Sequence, residues 1–202
     1  AVSTPLGTGG SAYRSLAAPA QDVDTVPFGF YAKSLWFQLG GYDETLLTNE
    51  DYDFAYRIRA ANGRVRFDPR IRAVYVARAD LTALAQQYWR YGWWKSQMLH
   101  RHPGSLRPRQ ALPLAWAAAS LGALAAGLLW PAWRAPAIAG LGAYASALLL
   151  EAGRRAGWRR WAIWPRLALA YGVIHYAWGL GALAGWFARK RTRPAQPTGR
   201  VQ

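Results

Sequence analysis

The chain contains no cysteine, which excludes disulfides and thiolate metal sites. Histidine is nearly as scarce. His100, His102 and His175 are the only three, and they cannot form an HExxH or comparable zinc pattern. Lysine is confined to Lys33, Lys95 and Lys190, so arginine carries almost all the positive charge. Acids are few, 10 Asp and Glu against 25 Lys and Arg, which leaves a formal net charge of +15 over 202 residues. So basic a balance suits nucleic acid or an anionic membrane surface. Here the charges flank long apolar runs, which favours membrane lipids and argues against nucleic acid as a partner. No initiator methionine and no signal-peptide pattern stands at Ala1, and the expectation is a piece of a longer protein whose N-terminal part is missing.

Composition changes sharply near Pro108. Before it lies a mixed, soluble-looking segment with most of the acids; after it Ala, Leu, Gly and Trp dominate. Gly7-Thr8-Gly9-Gly10 reads as a loop, because adjacent glycines permit tight turns and close backbone approach to a ligand. Residues 23–31 alternate loosely and predict a strand. Residues 34–39 predict a short helix ended by Gly40-Gly41. Thr48 and Asn49 are candidate N-caps for the next helix, with Thr48-x-x-Asp51 at capping-box spacing. Phe54, Ile58 and Ala61 share one face of it, and Gly63 supplies the stop. Short strands are predicted at 65–67 and 71–76, around an Asp68-Pro69 turn.

Residues 81–107 form a helical region of unusual character, in which Tyr88, Trp89, Tyr91, Trp93 and Trp94 are interleaved with Arg90 and Lys95. Aromatics mixed with cations suit a helix lying at a membrane interface, although a soluble helix with an aromatic core face has the same composition. Residues 108–190 then predict membrane helices at about 111–130, 135–151 and 161–187, since ~20 apolar residues cross a bilayer core. Arg154, Arg155, Arg159 and Arg160 mark a cytoplasmic loop. The basic tail creates a conflict. If the first segment starts in the cytoplasm, a third full crossing puts Arg189, Lys190, Arg191 and Arg193 outside. Either the last segment is re-entrant or interfacial, or the tail violates the positive-inside rule. Residues 191–202 read as a disordered tail.

Four groups of residues could carry chemistry, and each has a plainer reading. Glu50 and Asp51 stand at a helix start shortly after a glycine-rich turn. Acids there commonly stabilise the helix dipole by ~0.3–1 kcal/mol, but a carboxylate so held can also serve as a general base. Asp22-Val23-Asp24 has a spacing that can hold a divalent ion, and such three-residue patterns are also frequent by chance. Strand alternation would aim both acids to one face. Gln87 and Arg90, at i and i+3, could grip a pyrophosphate, or Arg90 could simply snorkel. His175 in an apolar segment is either functional or part of helix packing, with Gly179, Gly181 and Gly185 nearby favouring packing.

These elements occur in a recognisable order. Gly7-Thr8-Gly9-Gly10-Ser11-Ala12-Tyr13-Arg14, Val23-Asp24-Thr25-Val26-Pro27-Phe28-Gly29, Gly40-Gly41-Tyr42-Asp43-Glu44 and Asn49-Glu50-Asp51 together resemble family 2 glycosyltransferases, most nearly the bacterial membrane enzymes of exopolysaccharide synthesis of the succinoglycan type. Asp68-Pro69-Arg70, Gln87-Tyr88-Trp89-Arg90-Tyr91-Gly92 and Arg101-His102-Pro103 continue the series. The resemblance implies an α/β fold, with residues 1–80 forming the C-terminal, acceptor half of a GT-A glycosyltransferase domain, followed by an α-helical membrane anchor.

The resemblance also implies an inverting displacement on a nucleotide-sugar donor. Asp51 would be the base that deprotonates the acceptor hydroxyl, with Glu50 as its neighbour. Gln87 and Arg90 match the Q-x-x-R of a Q-x-x-R-W motif and would contact the donor pyrophosphate. Tyr91 stands where that motif has Trp, on the acceptor side, and Gly9 and Gly10 would line the sugar site. The acceptor would be a lipid-linked sugar or polysaccharide. A divalent metal (Mg or Mn) is expected in the full-length enzyme, held by an upstream D-x-D. Asp22-Val23-Asp24 lies on the wrong side of the glycine-rich loop to be that motif, so this chain is expected to bind no metal and to be inactive alone. The implied location is the bacterial inner membrane, multi-pass, with the catalytic part on the cytoplasmic face. The rival from another class is a non-enzymatic membrane scaffold that keeps a degenerate transferase fold.

Overall fold

The computed structural model describes Thr4, Tyr13 and residues 18–188. Among these, strand is confined to β1 (Gln21–Asp22) and β2 (Arg66–Phe67), an antiparallel pair with Gln21 opposite Phe67 and Asp22 opposite Arg66. Val23 extends the pair by donating to the Val65 carbonyl at 2.8 Å. The remaining regular structure is helical, and this overturns the expected α/β half of a GT-A domain. The strands expected at 23–31 and 71–76 do not form. Strand propensity is realised only against a neighbouring strand, and Val74 and Val76 are instead 92% and 81% exposed.

The front of the molecule is built on α1 (Lys33–Gln38) and α2 (Glu50–Ala60). Gly40 and Gly41 adopt φ of 76° and 68°, a left-handed geometry that side chains resist, and their amides cap α1 by donating to Phe37 and Trp36. Phe54, Ala55 and Ile58 of α2 bury against Val65, with Tyr31, Trp36 and Tyr42 closing around them. Phe54 is the centre of an aromatic cluster, with ring centroids at 4.9 Å from Tyr31 and 5.0 Å from Trp36. Gly63 donates to the Ile58 carbonyl and ends the helix as its sequence position suggests.

The rest is a helical assembly of α3 (Leu81–Arg101), α4 (Pro108–Leu129), α5 (Arg134–Ala156) and α6 (Trp164–Phe187), joined by 3-10 turns. Asp80 caps α3 by accepting from the Ala83 amide at 2.7 Å. Three segments are long and apolar enough to cross a membrane: Pro108–Leu129, Pro131–Ala156 and Trp158–Phe187. Most of their surface faces outward, as a lipid-facing helix requires.

The aromatic-rich α3 packs along the C-terminal half of α6 through a seam of small residues. A Cβ at Gly92 would stand 2.0 Å from the Trp178 carbonyl oxygen, and one at Gly181 would stand 2.3 Å from that of Trp89. Ser96 Oγ and Gln97 Nε2 donate across the seam to the Ala182 and Gly185 carbonyls, both at 2.6 Å. Small residues let two backbones approach closely, and polar side chains then reach backbone acceptors. The end of α6 reaches the end of α3, where the Trp186 and His100 rings lie 4.6 Å apart.

His175 belongs to this packing. Its Nδ1 lies 2.9 Å from the Tyr144 hydroxyl, and Trp116 of α4 stacks on Tyr144 at 4.3 Å while donating to the Tyr176 hydroxyl at 3.1 Å. One polar and aromatic cluster thus joins α4, α5 and α6.

Candidate functional site

The glycine turn, α2 and the end of α3 are clamped together by charged side chains. Arg57 donates to Asp53 at 2.8 Å, to the Leu39 carbonyl at 2.5 Å and to the Gly41 carbonyl at 2.6 Å. Its guanidinium therefore supplies donors to carbonyls that the turn leaves unpaired. Asp53 is buried, and His102 Nε2 stands 2.9 Å from its other oxygen. Asp43 accepts from the Thr45 amide and hydroxyl and pairs with Arg101 at the end of α3. Asp43 of Gly40-Gly41-Tyr42-Asp43-Glu44 and Arg101 of Arg101-His102 thus meet, although the sequence separates them widely.

The expected caps of α2 take different roles. Asn49 is the N-cap but has φ of 72°, and its side chain does not bond the helix amides. Its Nδ2 instead donates to the Tyr91 carbonyl at 3.3 Å. Thr48 bonds the Leu47 carbonyl, so the capping box with Asp51 is not made. Asp51 Oδ1 accepts from the following amide, Tyr52, at 2.7 Å.

Burial pushes the Asp51 carboxyl above its ordinary range; the Tyr52 amide opposes this, and the Glu50 charge adds to it. Tyr31 is pushed up to about 12, chiefly by burial and also by Tyr42 and Asp51. Tyr42 rises as well, by burial and by the charges of Asp51 and Glu50. The start of α2 is therefore a carboxylate pair facing two phenols in a half-dry setting. A carboxylate with a raised pKa is a better proton acceptor than a free one.

Gln87 and Arg90 line one open groove of about 760 Å³ along α3, together with Arg78, Gln86, Trp89 and, from α6, Ala177. Gln87 is buried, and its Nε2 donates to the Tyr91 hydroxyl at 2.7 Å and to that of Tyr75 at 3.4 Å. Its Oε1 is buried with no hydrogen-bond partner. Arg90 is exposed. The structure thus brings Gln87, Arg90 and Tyr91 together, and ties the Asn49-Glu50-Asp51 segment to Tyr91. Asp51 and Glu50 do not line the groove. Gly9 and Gly10 lie outside the described residues.

A second cluster escaped sequence reasoning. Asp22 and Asp24 do not share a site. Asp22 is exposed on β1, 3.7 Å from Arg66, while Asp24 turns inward, pairs with Arg109 and lies 3.8 Å from Arg107. The alternation that would align them ends with β1 at Asp22. Among the described residues, no group of three or more His, Asp or Glu could hold a metal ion. Tyr52 donates to Asp24 at 3.2 Å, and Lys95 donates to Ser105 O and Oγ at 3.0 and 3.2 Å while standing 3.9 Å over the Tyr52 ring. Burial, aided by Arg109, Arg59 and Arg107, holds Lys95 down to about 7 against the pull of Asp24. The one signal for this cluster was a lysine inside an aromatic, otherwise buried helix face.

The chain is 32% identical over 181 residues to the succinoglycan biosynthesis protein ExoA of Rhizobium meliloti (strain 1021). The match covers 90% of this chain and 53% of that protein, so the chain spans about half the length of its curated relative. No family model matches the sequence. No solved structure matches it either.

Proposed function

We propose that this chain contributes the acceptor-side residues of an inverting family 2 glycosyltransferase, which moves a sugar from a nucleotide-sugar donor to a lipid-linked or polysaccharide acceptor during exopolysaccharide or cell-envelope synthesis. The observation that carries this reading is the Asn49–Tyr91 bond. It sets the Glu50-Asp51 pair beside the helix that presents Gln87 and Arg90. The similarity to a succinoglycan biosynthesis protein supports the same assignment.

In this reading Asp51 takes the proton of the acceptor hydroxyl as that oxygen attacks the anomeric carbon. The nucleoside diphosphate departs with its negative charge, which Arg90 offsets, while Gln87 positions the leaving group and Tyr91 borders the acceptor. Glu50 raises the proton affinity of Asp51 by proximity. A divalent ion is proposed for a polypeptide of the relative's full length. The described residues offer it no ligand set, so no step here passes through it.

The three apolar segments support a membrane location, proposed to be the bacterial inner membrane with α1 and α2 on the cytoplasmic face. The end of α6 lies beside the end of α3, the element that leads into the start of α4. That arrangement supports the re-entrant or interfacial reading of the last segment.

The deciding experiment supplies membranes containing the relative-length protein with labelled nucleotide-sugars and follows label into lipid or polysaccharide. Incorporation supports the transferase. Its absence with every donor tried, in membranes where the protein is inserted, supports the scaffold. For residues 1–202 alone, tight, metal-dependent nucleotide-sugar binding would overturn the assignment of donor binding to other parts of the protein.

A further inference from the structure

The groove along α3 carries more positive charge than the proposed reaction uses. Ala83, Gln86, Gln87 and Arg90 line it at i, i+3, i+4 and i+7, so one face of the helix supplies half of its wall. Ala177 of α6 and the partly exposed Trp89 add apolar surface. Arg78 enters from the segment just before Asp80, whose side chain caps α3 and fixes where that segment meets the helix.

Arg78 and Arg90 are both exposed, and among the described residues neither forms an ion pair. Arg57, Arg101 and Arg109, by contrast, are each tied to an aspartate. No acid among the described residues lines the groove. Two open cations on one concave surface repel each other until an anion joins them. The neutral donors are mostly taken. Gln87 Nε2 donates to the hydroxyls of Tyr91 and Tyr75 at 2.7 and 3.4 Å, which uses both of its hydrogens. Compensation of an anion in the groove therefore falls to the two guanidinium groups, with Gln86 as the remaining exposed amide. A diphosphate spreads its charge over the oxygens of two phosphorus atoms, so a single arginine satisfies it only in part. Guanidinium forks match such oxygens in pairs.

We infer that Arg78 is a second diphosphate-binding residue of this groove, acting with Arg90 on a diphosphate ester. This role rests on the reading of Arg90 as a diphosphate ligand, and it adds a residue outside the segment from Gln87 to Tyr91. Two sources offer the group: a nucleoside diphosphate leaving the donor, and a lipid-linked diphosphate whose chain lies along Trp89 and Ala177.

The test uses the full 202-residue chain in detergent micelles, with a chelator to exclude metal-bridged binding, and reads affinity by native mass spectrometry. The probes are uridine diphosphate and farnesyl diphosphate, each compared with its monophosphate. At least one diphosphate is expected to bind saturably and more tightly than its monophosphate, and the tighter of the two identifies the source. Arg78→Gln and Arg90→Gln are each expected to weaken it by about tenfold or more. Arg78→Lys keeps the charge and loses the fork, so its affinity should fall between those of the parent and Arg78→Gln. Arg72 is exposed in the same segment and does not line the groove, so Arg72→Gln should bind like the parent. Parent affinity in Arg78→Gln, an equal loss in Arg72→Gln, equal binding of the monophosphates, or no binding of either diphosphate would overturn the site. No sugar is transferred in this experiment, so such a failure is distinct from a failure of Asp51 as proton acceptor, which the transfer rate of Asp51→Asn reads separately.

Discussion

The side-chain amide of Asn49 donates to the backbone carbonyl of Tyr91, 42 residues further along the chain, at 3.3 Å. That bond fixes the start of α2 against the middle of α3. It also uses a side chain that would otherwise cap its own helix. Asn49 accepts the left-handed backbone at this point, which few residues other than glycine tolerate. Asn49→Gly keeps that backbone and deletes the bond, so it should cost about 1 kcal/mol of stability. Asn49→Ala adds backbone strain of roughly 1–2 kcal/mol more. Thermal unfolding in detergent separates them, and equal midpoints for both variants and the parent would remove the bond from the account.

Asp51 should stabilise the protein when it is removed. Its folded-state pKa is raised, so its favourable contribution is complete below the unfolded pKa and is lost as pH rises through the folded one. At neutral pH the ionised carboxylate is therefore a burden, and Asp51→Asn should gain roughly 1 kcal/mol there. The gain should shrink toward acid pH, where the parent carboxyl is protonated. A gain of the same size at pH 4 and pH 7 would contradict a raised pKa.

Lys95 titrates in the opposite sense. Its folded-state pKa is depressed to about 7. The unfolded chain therefore binds the extra proton between that value and the ordinary lysine range, and stability rises with pH across this window. Lys95→Met preserves the apolar stem and removes the charge, so it should stabilise by roughly 1–3 kcal/mol at pH 6 and by progressively less toward pH 10. Denaturant unfolding at several pH values reads this difference. A parent whose stability is flat from pH 7 to pH 10 would count against a depressed Lys95.

The seam between α3 and α6 tolerates no side chain at its centre. Gly181→Val would force its Cβ into the Trp89 backbone, whereas Gly140 has nothing within 4 Å of an added Cβ. The first substitution should cost about 3 kcal/mol or more, and Gly140→Ala should be neutral or slightly stabilising. Comparable losses at both positions would mean that α3 does not pack on α6.

Local signals in the sequence located α2 and α3, the three apolar segments, and the stops at Gly40-Gly41 and Gly63. Each rests on periodicity or on a residue acting near its own position. Residues 23–31 and 71–76 carried strand propensity that went unrealised, because a strand exists only where a second strand accepts its hydrogen bonds. The Asp22 and Asp24 pair failed for a related reason: β1 ends between them, so alternation no longer governs where Asp24 points. The clamp of Asp43 to Arg101 and the cluster around Lys95 were invisible for a different reason. Their partners are distant in sequence, and no local pattern encodes which acid meets which base.

The central claim is that Asp51 is the proton acceptor in sugar transfer. Its most direct test is the single-turnover rate of transfer from a nucleotide-sugar by the relative-length protein in membranes, comparing the parent with Asp51→Asn. The account predicts a loss of at least about 100-fold, with membrane insertion and donor binding unchanged. A transfer rate within a few-fold of the parent would contradict it.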